Sequence, residues 1–297
     1  MIQPTAIHDI RREGDTVTAT ADRGRFRLTP YADNILHVCY SPTDTDPELP
    51  MWGLLPPPAD APAPELAATA ARWRVSAPGL CAVIERDSAA IQFRDAQGTA
   101  LTSLAAAEMV PVRVSGESTF HGYAGFSVAP DEAYYGLGQH QRDWMDHAHW
   151  DVSLAHDYKA HGGEVIGIPF LVTNRRYAVL WDNPSRSAVW PASGKRTTWW
   201  SEVCDAISFF IVAGECADDL YRGHRRLTGQ TPMPPAAALG YIQCKQRYAS
   251  QADVLDVARM YREKDYPCDI LVVDWFHWKT LGDLDFDPDA WPDPAGM

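Results

Sequence analysis

The sequence lacks several features that would place it in a common functional class. Its six cysteines form no CxxC pair and lie near no histidine pair at zinc-site spacing. No stretch approaches the roughly 18 consecutive apolar residues of a membrane span. The chain begins with MIQPTAIHDIRREGD, without a basic segment followed by an apolar run. We therefore predict no metal site, no membrane span and no signal peptide, and expect a cytoplasmic protein with reduced cysteines.

Positive charge is also scarce. The chain has 26 lysines and arginines against 39 aspartates and glutamates, for a formal net charge of −13 and a pI near 5.1. An acidic surface repels phosphate backbones and anionic headgroups, which argues against nucleic acid or membrane partners. A neutral substrate fits this balance, and an oligomeric assembly is neither required nor excluded by it.

Aromatic residues are abundant, with 11 tryptophans and 12 tyrosines in 297 residues. Most of them fit the interior of a large β-rich core, where aromatic side chains bury much apolar surface. A second interpretation applies to the remainder, because an indole can cover the apolar C–H face of a sugar ring. The two interpretations can hold for different residues.

Short apolar runs between glycine, proline, asparagine and aspartate residues are typical of residues 1–227. Such runs predict an antiparallel β-sandwich or barrel. The predicted strands are Thr16–Thr20, Asn34–Tyr40, Ala82–Glu85, Ala89–Arg94, Val110–Val114, Ile168–Thr173, Tyr177–Trp181 and Ile207–Val212.

The pattern changes after a predicted helix over Ala217–Leu227. Residues 228–235, TGQTPMPP, contain three prolines and predict a linker. An apolar strand, Ala238–Gln243, then precedes a helix capped by Ser250 and a second strand, Asp269–Asp274. Residues 236–297 thus predict one βαβ unit, with strands buried on both faces. A (β/α)8 barrel needs about 250 residues, so we expect only the beginning of one.

Polar and aromatic residues that could bind or react with a ligand follow both predicted barrel strands. CKQRY, residues 244–248, follows the first, and the second ends in VVDWFHW with Asp274 at its tip. Active sites of such barrels form at these strand ends. A carboxylate beside Trp275 and Trp278 suits sugar recognition, since it accepts hydrogen bonds from hydroxyls while an indole covers the ring. A structural Asp274 that caps the next turn is an equally good interpretation of the pattern alone.

Four ordered motifs resemble glycoside hydrolase family 31. They cover residues 120–297 at about the family's spacing, whereas residues 1–119 are similar mainly in their strand-rich character. The sequences of CKQRY and DWFHW are more similar to those of α-xylosidase members than to those of eukaryotic α-glucosidases. The motifs are YYGLGQHQ, IPFLVTNRRYAVLWDNPSR, LTGQTPMPPAAALGYIQCKQRY and PCDILVVDWFHW followed by DFDPDAWPDPAGM.

The resemblance implies a galactose-mutarotase-like β-sandwich followed by a (β/α)8 TIM barrel, here truncated. It implies that a sandwich loop, around Gln139–Gly163, helps to shape the sugar pocket. Asp274 matches the family's hydroxyl-binding aspartate, and Trp278 matches the tryptophan of the following loop. The nucleophile and acid/base are expected beyond Met297, and no cofactor is implied. Five aspartates near the end of the chain match a family loop rather than its catalytic motifs: Asp283, Asp285, Asp287, Asp289 and Asp293.

The resulting hypothesis is a retaining α-glycosidase that acts on terminal α-xylosides or α-glucosides of oligosaccharides. Residues 1–297 would lack its catalytic aspartates. The alternative is a non-catalytic carbohydrate-binding protein that keeps the sandwich without the barrel. The coding sequence after Met297 discriminates between them.

Overall fold

Two units make up the computed structural model, Met1–Gln230 and Thr231–Met297. The structure describes residues 1–43, 53–141, 144–155, 166–191 and 196–297. The division between the units lies inside the stretch 228–235 that the prolines mark in the sequence. None of the helices in these ranges is both long enough and apolar enough to span a bilayer.

The first unit is built from antiparallel strands and one helix in its described residues. Each strand predicted from the sequence overlaps an observed strand. The elements are β1 (Ile7–Glu13), β2 (Thr16–Ala21), β3 (Arg25–Ala32), β4 (Ile35–Ser41), β5 (Glu65–Ala68), β6 (Arg72–Ala77), β7 (Leu80–Glu85), β8 (Ile91–Asp95), β9 (Ala100–Val114), β10 (Glu117–Ser127), β11 (Tyr134–Gln139), β12 (Val152–Ser153), β13 (Ile166–Thr173), β14 (Tyr177–Trp181), β15 (Ser187–Pro191), β16 (Arg196–Cys204), β17 (Ile207–Ala213) and α1 (Ala217–Thr228).

Two sheets organise these strands. Sheet one has the order β1-β2-β3-β4-β17-β14-β13-β11, and sheet two has the order β12-β15-β16-β10-β9-β8-β7-β6-β5 among the described residues. Strand alternation divides the side chains of β16: Trp199 is fully buried, whereas its neighbour Trp200 is half-buried on the opposite face. The adjacent tryptophans therefore lie on opposite faces of sheet two, Trp199 in the core and Trp200 on the outer face.

Aromatic rings fill much of the core. Trp181 of sheet one stacks on Trp199 of sheet two with ring centroids 5.4 Å apart, and Phe209 lies 6.3 Å from Trp181. The Trp181 indole donates a 2.8 Å hydrogen bond to the Ser201 hydroxyl, so its polar edge is satisfied inside the core. This packing agrees with the interpretation that most aromatics are structural.

The YYGLGQ motif forms β11 at the edge of sheet one, and its glycines are needed by the backbone. Gly136 and Gly138 have φ of +85° and +100°, in the region that L side chains rarely adopt. A Cβ atom at Gly138 would lie 1.7 Å from the Ile166 carbonyl oxygen, and one at Gly136 would lie 2.4 Å from that of Phe170. The motif therefore allows β11 to approach β13 closely.

We expect Gly138→Ala to lower the free energy of unfolding by about 3 kcal/mol or more, because it adds a backbone clash to an unfavourable φ. Gly116→Ala is the matched control: Gly116 has φ of +90°, but a Cβ atom added there would meet nothing within 4 Å. Its cost should be limited to about 1–2 kcal/mol. Urea unfolding of both variants measures the difference, and equal losses would contradict the role assigned to the β11–β13 contact.

Helix α1 packs on the outer face of sheet one. Its buried residues Leu220 and Leu227 join a small core with Phe210 and Val212 of that sheet. Gly223 faces Val212, where a Cβ atom would lie 2.3 Å from a methyl carbon. Because Gly223 has no side chain, the helix can pack closely against the sheet at this position.

The second unit contains one parallel strand pair. Its elements are a 3₁₀ helix (Ala236–Leu239), β18 (Ile242–Lys245), α2 (Gln251–Glu263), β19 (Ile270–Val273) and a 3₁₀ turn (Pro294–Gly296). β18 and β19 pair in parallel with Ile242 opposite Ile270. The predicted order of strand, helix and strand is therefore confirmed. Helix α2 begins where the sequence indicates, since the Ser250 hydroxyl accepts from the Asp253 N–H at 3.3 Å.

Two details of the predicted βαβ unit are wrong. The strand assigned to Ala238–Gln243 begins only at Ile242, because Ala236–Leu239 close tight turns in which Ala238 donates to the Pro235 carbonyl. The strands are also not buried on both faces. Leu271 and Val273 pack near α2, but Ile242 is 45% and Val272 is 37% exposed. A single crossover helix covers a single face of the sheet.

Candidate functional site

Two loops begin at the same edge of the parallel strand pair. Lys245, the last residue of β18, lies opposite Val273, the last residue of β19. Asp274 follows directly, and alternation places it on the face of Ile270 and Val272, opposite the face that carries Leu271 and Val273. Side chains from residues 246–249 and 274–279 are therefore presented at one edge.

The Asp274 carboxylate is half-buried at this strand tip. Among the residues that the structure describes, no side chain or backbone N–H donates a hydrogen bond to it. Its backbone carbonyl oxygen lies 3.4 Å from His277 Nδ1, which closes the turn after the strand. The carboxylate is thus accessible as an acceptor for hydroxyl groups, and the contact across the turn joins the His277 ring to the Asp274 backbone carbonyl rather than to the Asp274 side chain.

Aromatic rings surround the strand tip. The Phe276 ring lies 5.7 Å from Trp275 and 6.5 Å from Trp278, and His277 meets Trp278 edge-on at 4.4 Å. Phe276 has φ of +67°, an unusual conformation for an aromatic residue, and is 51% exposed. Trp275 and Trp278, which the sequence singled out together with Asp274, thus both lie near the Phe276 ring in the segment directly after the strand tip.

A cation–π contact joins the two loops. The Arg247 guanidinium carbon lies 4.7 Å from the Phe276 ring centroid, and Lys245 Nζ lies 5.0 Å from that of Tyr248. Tyr248 is itself buried in a core cluster with Val254 and Trp291. The first loop is therefore anchored at its end and presents Arg247 toward the aromatic residues of the second.

Four of the five aspartates near the end of the chain have carboxylates that make local hydrogen bonds or ion pairs. Asp283, Asp287 and Asp293 accept hydrogen bonds from backbone N–H groups two or three residues later. Lys279 Nζ lies 3.0 Å from Asp289 and 3.2 Å from Asp287, and these carboxylates raise the pKa of Lys279. Trp291 is buried against Phe286. This arrangement is that of a folded loop.

The histidine-rich sandwich loop is described in part. The His140 ring lies 5.5 Å from that of His147, and His140 Nε2 lies 2.9 Å from the Leu137 carbonyl oxygen. Trp144 and Trp150 are exposed. His156 and His161 lie outside the described residues. Within the described ranges, no group of three histidine, cysteine, aspartate or glutamate side chains is placed to hold a metal ion.

Comparison with known proteins identifies both units. Residues 25–189, more than half of the chain, match the glycosyl hydrolase 31 N-terminal galactose mutarotase-like domain. Residues 231–297 match the glycosyl hydrolases family 31 TIM-barrel domain. The chain belongs to glycosyl hydrolase family 31. The resemblance seen in the motifs and the predicted fold class, a sandwich followed by the start of a TIM barrel, are both confirmed.

Family 31 relatives include glucosidases and xylosidases. The chain is 35% identical over 174 residues to an uncharacterized family 31 glucosidase of Pseudescherichia vulneris, covering 58% of this chain and 31% of that protein. It is 32% identical over 191 residues to an α-xylosidase of Saccharolobus solfataricus, covering 61% and 25%. The chain therefore spans about a quarter to a third of the length of these curated relatives.

A solved structure has the same fold. It is a family 31 α-xylosidase from a soil metagenome, complexed with xylose, and it superimposes with a TM-score of 0.81 at 26% identity. The match covers 98% of this chain and 45% of that one. The described sandwich and the parallel strand pair are thus both features of a family 31 enzyme.

A buried carboxyl network in the family 31 sandwich was not anticipated from the sequence. The Tyr177 hydroxyl donates to Glu132 Oε1, and the Ala129 N–H donates to Oε2 at 2.8 Å. Burial raises the pKa of Glu132, although both hydrogen bonds act to lower it. The nearby Tyr134 hydroxyl pairs with Thr197 at 2.7 Å. Glu132, Tyr177 and Thr197 are distant from one another in the chain, so no local sequence motif predicts this network.

The raised pKa of Glu132 predicts a pH-dependent difference between the wild type and Glu132→Gln. The folded state holds the Glu132 proton more tightly than the unfolded state, so the stabilising contribution is complete below the unfolded pKa and is lost as pH rises through the folded pKa. The glutamine variant lacks this titration. Unfolding free energies from about pH 4 upward, near the ordinary glutamate pKa, should therefore fall for the wild type relative to Glu132→Gln.

The exposed hairpin residue Glu117 supplies the control. Glu117→Gln makes the same change of carboxyl to amide at an exposed position, and its unfolding free energies in the same pH series provide the reference. A constant difference between the wild type and Glu132→Gln at every pH would contradict the raised pKa.

Proposed function

We propose that this chain is part of a retaining α-glycosidase that hydrolyses terminal α-linked sugars of oligosaccharides, an α-xyloside or an α-glucoside. Its α-xylosidase relatives and the fold shared with a xylose-bound family 31 enzyme support this substrate class. The proposed partner is accordingly a neutral oligosaccharide or glycoside. The acidic net charge of the chain is compatible with an uncharged ligand.

The strand tip of β19 is the proposed sugar-binding position. Asp274 would accept hydrogen bonds from ring hydroxyls, and Trp275 and Trp278 would cover the apolar faces of the ring. The observation that carries this assignment is the Asp274 carboxylate, which receives no hydrogen bond from the described residues and lies beside an aromatic cluster. A carboxylate used to cap its own turn would instead accept a nearby backbone N–H, as Asp283 and Asp293 do.

The proposed mechanism uses two further carboxyl groups roughly 5–5.5 Å apart. One attacks the anomeric carbon and forms a glycosyl-enzyme, while the other protonates the leaving oxygen and then deprotonates water. We place both on barrel strands beyond Met297 and assign residues 1–297 no catalytic residue. Asp274 contributes by holding hydroxyls whose hydrogen bonds strengthen as the ring distorts. This two-carboxyl chemistry uses no cofactor.

The proposed domain limits follow the same account. Residues 1–227 form the sandwich domain, residues 228–235 the linker, and residues 236–297 the first βαβ unit of the catalytic barrel.

The stereochemistry of hydrolysis tests the proposed reaction. Proton NMR of an aryl α-glycoside treated with the enzyme that carries the whole barrel should show the α-anomer of the released sugar first. Mutarotation to the β-anomer should follow more slowly. Initial release of the β-anomer would exclude a covalent glycosyl-enzyme formed by double displacement.

A further inference from the structure

A row of aromatic side chains lies on the outer face of sheet two. The Trp190 and Trp200 rings are nearly parallel, at 20°, with centroids 5.6 Å apart. Tyr123 lies 6.3 Å from Trp190, and His121 lies 5.8 Å from Trp200. These four residues, which we term the aromatic row, come from three adjacent strands.

Strand register explains why these rings share one face. Tyr123 of β10 lies opposite Trp200 of β16, and Trp190 of β15 lies opposite Thr198 of the same strand. Residues directly opposite one another point to the same side of an antiparallel sheet. Val189 and Trp199 alternate to the other side and are fully buried in the core. The aromatic row is therefore not required to fill the sandwich interior.

A cavity of about 700 Å³ adjoins the two indoles. Its rim combines them with polar residues that follow β11, that lie in or just before β12, or that directly precede β15: His140, Gln141, Asp151, Ser153 and Arg186. All of these residues belong to the sandwich unit. A volume of several hundred Å³, with an apolar platform and a few polar groups, is typical of a small-ligand site.

Unused donors at the cavity point to a ligand with acceptor oxygens. In the described part of the chain, neither the Trp190 nor the Trp200 indole N–H has an acceptor, and the Arg186 guanidinium has no carboxylate partner. A charged ligand is disfavoured, because Asp151 lies on the same rim as Arg186. A neutral ligand with both apolar faces and hydroxyl groups matches this combination.

We propose that this cavity binds a neutral oligosaccharide, with Trp190 and Trp200 as the stacking platform and the polar rim as the hydroxyl-binding edge. The Trp190–Trp200 platform goes beyond the proposed function, because it uses neither Asp274 nor any catalytic carboxylate. The rim residues His140, Gln141, Asp151 and Ser153 belong to the sandwich loop that the family resemblance assigns to the sugar pocket, so this part of the site rests on the proposed function. Its role is to hold a sugar chain on the sandwich.

Binding of the polypeptide of residues 1–297 to oligosaccharides tests the site. Titration calorimetry with maltotetraose, isomaltotetraose and a xyloglucan heptasaccharide should show binding of at least one of them. Trp190→Ala and Trp200→Ala should each weaken that binding about tenfold, the effect expected for loss of an aromatic contact. Trp190→Phe and Trp200→Phe, which keep an aromatic face, should retain most of it.

Two controls separate this site from the strand tip and from misfolding. Tyr266→Ala removes an exposed aromatic residue of the second unit and should leave binding unchanged. Asp285→Asn, which changes an exposed carboxylate of the second unit, should also leave it unchanged. The strand tip is tested separately by the hydrolytic activity of Asp274 variants, so a loss of that activity says nothing against this cavity. Absence of binding to all three sugars, or binding that survives both alanine substitutions, overturns the proposal. Thermal unfolding of the alanine and phenylalanine variants establishes that they are folded.

Discussion

The Asp274→Asn substitution should lower kcat/KM by about a hundredfold or more in the enzyme that carries the whole barrel. That loss corresponds to about 3 kcal/mol of transition-state stabilisation, the range expected when a charged acceptor to sugar hydroxyls is removed. The carboxylate receives no hydrogen bond from the described residues, so the substitution removes no contact that the fold depends on. The loss should therefore appear in kinetics and not in the unfolding free energy.

Asp285→Asn is the matched control for this substitution. Asp285 is an exposed carboxylate in the following loop, and its backbone N–H donates to Asp283, whereas its side chain has no hydrogen bond to the residues that the structure describes. Steady-state kinetics on one aryl α-glycoside should show wild-type kcat/KM for Asp285→Asn. Unchanged kcat/KM for Asp274→Asn would remove Asp274 from the site, and a matching loss of stability would make its role structural.

The polypeptide of residues 1–297 should not hydrolyse any glycoside by itself. Covalent retention requires a nucleophile and an acid/base, and our account places neither in this stretch. Four of the five aspartates near its end, Asp283, Asp287, Asp289 and Asp293, are held by backbone N–H groups or by Lys279, and the fifth, Asp285, is exposed. Long incubations with aryl α-xyloside and α-glucoside should therefore show no hydrolysis above the uncatalysed rate measured in buffer alone.

The same polypeptide should also associate more than residues 1–227 alone. Ile242 and Val272 expose an apolar strand face, and the two-stranded sheet has open edges that can pair with another chain. Light scattering of both polypeptides measures the difference. Turnover by a monomeric 1–297 would show that the catalytic residues are placed wrongly and that Asp274 or the later aspartates react.

Local sequence patterns predicted much of the fold. Tyr177–Trp181 is a continuous apolar run and Ile207–Val212 is interrupted only by Ser208, and they form β14 and β17 in the interior of sheet one. β10 and β16 were missed because glycines and polar residues interrupt their alternation, as in ESTFHGYAGFS. Ala238–Gln243 was misassigned because its apolar character favours a strand, whereas turns after Pro235 delay the strand to Ile242.

The candidate site was predictable where it depends on adjacent residues and not where it depends on tertiary contacts. Asp274 follows an apolar strand run, a pattern visible in the sequence, together with Trp275 and Trp278. Contacts such as Arg247 with Phe276 join residues that only the parallel register of β18 and β19 brings together. The pairing of Trp190 with Trp200 likewise requires the β15–β16 register.

Hydrolysis of matched aryl glycosides tests the central claim most directly, that this chain belongs to a retaining α-glycosidase. The measurement is kcat/KM for the protein encoded by the gene continued beyond Met297, on the α- and β-anomers of aryl xyloside and aryl glucoside. The account predicts turnover of at least one α-anomer and none of either β-anomer. Absence of turnover on both α-anomers, in a folded protein that binds oligosaccharides, would contradict it and favour the non-catalytic carbohydrate-binding alternative.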